Sequence, residues 1–77
     1  MIALIRGELL LKSAPTVVVE AGGLGYEIEV PMTTFYELPE LGSPVQLFCH
    51  FVVREDAQLL FGFHDGKSRD FFRTLIK

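Results

Sequence analysis

The stretch Gly62-Phe63-His64-Asp65-Gly66-Lys67-Ser68 holds the residue types of a phosphate-binding loop: glycines, then a lysine, then a hydroxyl. Such a loop cradles phosphate oxygens on successive backbone N–H groups and needs four residues between its glycines. Only three separate Gly62 from Gly66, so the nest does not close. The nine residues after Ser68 are also too few for a second, magnesium-binding strand. The segment reads instead as a strand-to-helix turn. Cys49 and His50 offer a nucleophile and a base, but as strand neighbours they point to opposite faces. Cys49 falls among apolar residues and reads as a small core residue. With His50 and His64 it has no zinc-ligand spacing, so both histidines read as strand-surface residues. Gly22-Gly23-Leu24-Gly25 reads as a plain turn. No catalytic residue, metal ligand or cofactor site is expected. Arg54-Glu55-Asp56 remains: two adjacent carboxylates beside a guanidinium, which taken alone read as a solvated hairpin tip.

Composition narrows the classes. The 77 residues make one small domain with a formal net charge of −3. Domains of this size bury only about 60% of their unfolded surface, so oligomerisation or further protein is a natural source of stability. The single cysteine fits a reducing compartment, and a cytoplasmic location is expected. No apolar run approaches the ~20 residues that span a bilayer, and no signal-peptide pattern opens the chain, so no membrane partner is expected. An acidic module lacks the basic face with which a protein holds phosphates unaided.

The elements that would position these residues come in a regular series of short strands. Ile2 to Leu11 is rich in isoleucine and leucine and stops at Lys12-Ser13-Ala14-Pro15. Thr16 to Glu20 is a β-branched strand, ended by the glycines after Ala21. Tyr26, Ile28 and Val30 alternate with Glu27 and Glu29, the pattern of a half-buried strand. Between Pro31 and Pro44, Thr33 or Thr34 could cap one helical turn that plugs a barrel end with Phe35 and Leu38. Val45, Leu47, Cys49, Phe51 and Val53 share one strand face. Beyond the charged tip, Leu59, Phe61 and Phe63 alternate with Leu60 and Gly62, which predicts those aromatics in the core. After Gly66, Phe71, Phe72, Leu75 and Ile76 take helical spacing, with Asp65 or Ser68 as N-cap. That helix is expected to run from about Lys67 to Lys77 with no stop signal, as though a longer protein were truncated there. The expected fold is mainly β, an OB-like small β-barrel followed by the start of a C-terminal helix.

Three segments carry a family resemblance. His50-Phe51-Val52-Val53-Arg54-Glu55-Asp56-Ala57-Gln58-Leu59-Leu60-Phe61-Gly62-Phe63 resembles the signature hairpin of the RuvA family, and Pro31 to Pro39 and Gly22 to Glu27 are similar to it too. The likeness runs from Met1, read as a native N-terminus, to Lys77; Ala3 departs from a common glycine. The resemblance implies an OB-like N-terminal domain over residues 1–64, with residues 65–77 as the first helix of a truncated helix-hairpin-helix domain. It implies a homotetramer on which a four-way (Holliday) junction lies flat, in homologous recombination and DNA repair. Glu55 and Asp56 would form an acidic pin that separates strands, with Arg54 supporting it. The implied partners are junction DNA, the RuvB motor through a missing C-terminal module, and the RuvC resolvase. The chain would be a non-catalytic DNA-binding subunit of an ATP-dependent helicase complex. Two other readings stay open: a stand-alone OB-type barrel acting as a protein–protein adaptor, or a single-strand binder using the barrel face. The aromatics are not interleaved with Lys or Arg, which counts against the second.

Overall fold

A computed structural model describes residues 1–76; Lys77, where the expected helix ends, lies outside the described residues. The elements are β1 (Leu4–Ser13), β2 (Thr16–Ala21), β3 (Leu24–Glu29), α1 (Met32–Glu37), β4 (Pro44–Val53), β5 (Gln58–Phe63) and α2 (Gly66–Leu75). The strands close into a barrel in the order β1-β2-β3-β5-β4, the OB-like arrangement that the alternation predicts.

Closure depends on β1 serving two neighbours. Its first half pairs with β4, from Leu4↔Phe48 to Glu8↔Pro44. Its second half pairs with β2, from Glu8↔Glu20 to Ser13↔Thr16, with the register broken between Leu9 and Leu11. An extra residue in one strand bends it and increases its twist, which turns β1 from one side of the barrel to the other. The seam is short: β3 and β5 meet in parallel at Glu29↔Phe61. Inside lie Leu9, Val17, Val19, Ile28, Leu47 and Cys49, all essentially without solvent contact. Two glycines permit this crowding. A Cβ on Gly7 would fall on the carbonyl oxygen of Glu20, and one on Gly62 would stand 2.7 Å from Ile28 Cγ2 and 3.3 Å from Leu47 Cδ1.

Two expectations need correction. Thr33 and Thr34 do not cap α1; the N-cap is Pro31, which makes no side-chain cap bond. Both threonines lie inside the helix, and Thr34 is fully buried. Phe35 and Leu38 do pack against the core as a plug. Phe63 is buried as expected, but outside the barrel cluster, and Phe61 is only half-buried. The inward residues of β5 are Leu60 and Gly62, because only glycine fits against Ile28 and Leu47. Phe61 and Phe63 face outward, where Phe72 of α2 covers them with ring centroids 5.1 Å from each. Period-two alternation shows that β5 has two faces but not which is the inner one, and the bulkier set misleads because a helix roofs it.

Gly7→Ala is expected to be the most damaging glycine substitution, since its obstacle is backbone that cannot rotate away. Gly62→Ala meets side-chain methyls and should cost about 1–3 kcal/mol, the usual range for overpacking. Urea unfolding of the two variants checks the order: Gly62→Ala proving the worse would show that the β1–β2 approach tolerates a methyl.

Candidate functional site

Glu55 and Asp56 are the two central residues of the β4–β5 turn, flanked by the backbone-bonded pair Arg54 and Ala57. The Arg54 N–H donates to the Ala57 carbonyl at 2.7 Å, and the Ala57 N–H donates back at 3.4 Å. No non-glycine residue described has positive φ, so this tip turns without the left-handed residues that two-residue hairpins usually employ. A carboxylate can therefore occupy both central positions. The β2–β3 hairpin takes the other route, with Gly22 and Gly23 at φ 62° and 87°.

Arg54, Glu55 and Asp56 are all exposed, as is Val53. Among the described residues neither acid joins a salt bridge or a side-chain hydrogen bond, and the Arg54 guanidinium pairs with neither. Structure thus brings the three expected site residues together at one tip, joined only through the Arg54–Ala57 backbone pair. Glu27 and Glu29 on β3, with Thr16 and Gln58, line a shallow pocket beside the tip-proximal half of β5 and extend the tip's acidic character. Among the described residues no group of three His, Cys, Asp or Glu side chains could hold a metal ion.

The hairpin's root is held from outside by α2. Phe72 packs edge-on to His50 at 5.7 Å as well as covering Phe61 and Phe63. The Arg73 Nε–H donates to His50 Nδ1 at 3.1 Å, and its terminal nitrogen donates to the Cys49 carbonyl at 3.4 Å. Arg69 donates to the Ala3 carbonyl at 3.2 Å and lies over the Phe48 ring at 5.5 Å. His50 is therefore an interface residue and not bare strand surface. His64 also has partners on both ring nitrogens: Thr34 Oγ1 lies 3.0 Å from Nδ1, and Asp65 Oδ2 lies 3.1 Å from Nε2. Sequence reasoning missed both roles, since a partner from another element leaves no local spacing signal. Cys49 is the expected core residue, and burial pushes its thiol up to about 11, so it is inert as a nucleophile near neutrality.

Asp65 is the N-cap of α2: its Oδ1 accepts the Ser68 N–H at 2.7 Å. The near-phosphate-loop segment is thus a capped strand-to-helix turn, with a carboxylate already where an anion would sit. The Ser68 backbone N–H, then the Ser68 hydroxyl, hold the Asp65 carboxyl below its usual 3.8, with His64 and Lys67 adding to the effect.

The family model for the RuvA N terminal domain matches residues 1–62. Proteins described as Holliday junction branch migration complex subunit RuvA are 60% identical over the whole chain in Cronobacter sakazakii and in Pectobacterium carotovorum. The one from Shewanella halifaxensis is 58% identical. The chain spans 38% of the length of each of these relatives.

The cap makes a pH-dependent prediction. A carboxyl held below its ordinary value in the folded state stabilises the fold above that value, and loses the contribution as pH falls through the lowered one. Asp65→Ala should therefore lower the melting temperature at pH 7, and the deficit should close below about pH 3.8. Asp65→Asn, which keeps a capping oxygen, should retain much of the stability at pH 7. Thermal melts from pH 2 to 7 check this: a deficit independent of pH would mean the carboxylate charge contributes nothing.

Proposed function

The chain belongs to the RuvA N-terminal domain family, and from that membership we propose that it is the self-assembling, strand-separating part of a subunit that holds four-way DNA junctions for branch migration. The observation that carries the reading is the tip of the β4–β5 hairpin, where Glu55 and Asp56 stand exposed with no partner among the described residues. Carboxylates that no cation neutralises repel backbone phosphates. At ~7 Å in a water-like medium one such pair repels by roughly 0.6 kcal/mol. A Debye length near ~10 Å trims this without abolishing it. A homotetramer would gather the acids of all its copies at the crossover, and even discounted terms would then sum to a few kcal/mol. Repulsion at one point selects an open junction over continuous duplex at some cost in total affinity.

Arg54 supports this pin in our reading, since its backbone closes the loop that the acids occupy. Residues 65–77 would open a helix-hairpin-helix domain, and basic surfaces outside this acidic segment would hold the arms. The assembly would work in the cytoplasm, in recombination and repair, as the non-catalytic subunit of a helicase complex with the RuvB motor and alongside the RuvC resolvase. A single-strand binder is less well supported. Its stacking platform would need exposed aromatics on the strands, yet Phe61 and Phe63 lie beneath Phe72. The adaptor reading has no specific feature in its favour.

Replacing Glu55 with Gln and Asp56 with Asn in a full-length subunit carrying this segment should raise duplex affinity more than junction affinity. A change of about tenfold in the ratio at low salt corresponds to ~1.4 kcal/mol, and it should shrink as salt rises. Paired titrations of junction and duplex at two salt concentrations measure it. An unchanged ratio at both would reduce the tip to a solvated turn.

A further inference from the structure

Thr34 is the one buried polar residue among those described, and it lies in the helix that plugs the barrel. A hydroxyl without solvent contact must find its partners inside the protein. It finds them in a single residue of another segment: the His64 N–H donates to Thr34 Oγ1 at 3.3 Å, and Oγ1 lies 3.0 Å from His64 Nδ1. Oγ1 accepts the backbone N–H on one lone pair and can donate its own proton to Nδ1. In that arrangement the imidazole proton is on Nε2, where the Asp65 carboxylate, with Oδ2 3.1 Å away, favours it. The other oxygen of Asp65 accepts the Ser68 N–H that starts α2.

The geometry points to the Thr34–His64 hydrogen bonds, with Asp65 Oδ2 in electrostatic contact with His64 Nε2, as a linkage that fixes the direction in which α2 leaves the barrel, with Thr34 and His64 as positioning residues and His64 held as its Nε2–H tautomer. His64 directly follows Phe63, the last residue of β5, and the first residue of that strand, Gln58, lies just past the tip loop. The linkage therefore sets the angle between α2 and the strand that carries Glu55 and Asp56. Its bearing on junction binding rests on the function proposed above; the linkage itself does not. Phe72 and Arg73 secure the far part of α2 by packing and by bonds to β4, which permit sliding and tilting. The directional constraint comes from the N-terminal end, where the bonds run into a side chain without solvent contact.

Nuclear magnetic resonance of the 77-residue chain, without DNA, tests this. In the unaltered protein, 15N shifts of His64 should show a protonated Nε2 and a bare Nδ1. Thr34→Val keeps the shape and removes the hydroxyl. It should speed amide exchange in α2 by roughly tenfold, as the loss of one or two part-buried hydrogen bonds implies, while β1 and β4 keep their protection. Residual dipolar couplings of α2 should then no longer fit the alignment of the barrel. Thr34→Ser should restore both. His64→Phe, altered outside the core, should reproduce the Thr34→Val pattern and serves if that variant does not fold. An Nδ1–H tautomer in the unaltered protein would overturn the proposal. So would unchanged couplings for α2 in the variants, or equal acceleration in barrel and helix, which would mark a general packing defect. Because no nucleic acid enters, these results stand apart from the fate of the pin reading.

Discussion

Strands β4 and β5 bury both of their faces near the barrel and neither face at their far end, and most of the molecule's organisation follows from that. On the inside, Leu47, Cys49, Leu60 and Gly62 complete the core; on the outside, Phe48, His50, Phe61 and Phe63 lie under α2. Two-sided burial makes the root of the hairpin rigid, since a one-residue slip would exchange apolar faces that are packed against different partners. Beyond Phe51 and Leu60 the cover thins: Val52 and Leu59 are half-buried and Val53 and Gln58 exposed. The remaining pairs, Val52↔Leu59 and Val53↔Gln58, form a two-stranded ribbon, which is marginal by itself and relies on its anchored base. An exposed tip held at a fixed place is the result.

The barrel was legible because its signals are local. Alternation in β3, glycines between β2 and β3, and the change of period after Gly66 each arise within a few residues. The corrected features come from contacts between distant segments. Phe61 and Phe63 resemble core because the sequence of β5 does not show that Phe72 arrives 9 residues after Phe63 to roof them. Thr34 resembles a cap because threonine before an apolar pair often is one; its actual partner is 30 residues away. The tip was legible as a charged turn, while its likeness to a known hairpin, and not its charges, suggested a role. The histidines were read as bland because a lone imidazole carries no spacing information, yet both tie the helices to the barrel.

The net charge of −3 also takes on meaning from placement. Glu27, Glu29, Glu55 and Asp56 lie along the β3 and β5 side and its tip, while Arg69 and Arg73 are engaged with backbone carbonyls of the barrel. Two of the few cations are thus committed to holding the fold together. An acidic side set against a depleted supply of free positive charge suits exclusion of phosphate better than capture.

The carboxylates of this chain divide by what they hold. Glu20 Oε2 accepts the Gly23 N–H at 2.7 Å and closes the β2–β3 turn, and Asp65 caps α2. Those acids serve backbone donors that would otherwise be left over, so their charge is partly consumed within the fold. Glu55 and Asp56 occupy a turn of the same length as Gly22-Gly23, but their loop is closed by the backbone of Arg54 and Ala57 alone. No described donor draws on their oxygens. A turn that needs neither glycine's conformational freedom nor a side-chain acceptor places no demand on what fills it, so many residue pairs would fold there equally well. Two acids at such a position add mutual repulsion and no internal bond. On the function proposed above, their contribution would be to something outside the chain, since like charge directed outward acts on an anionic partner chiefly by keeping it at a distance.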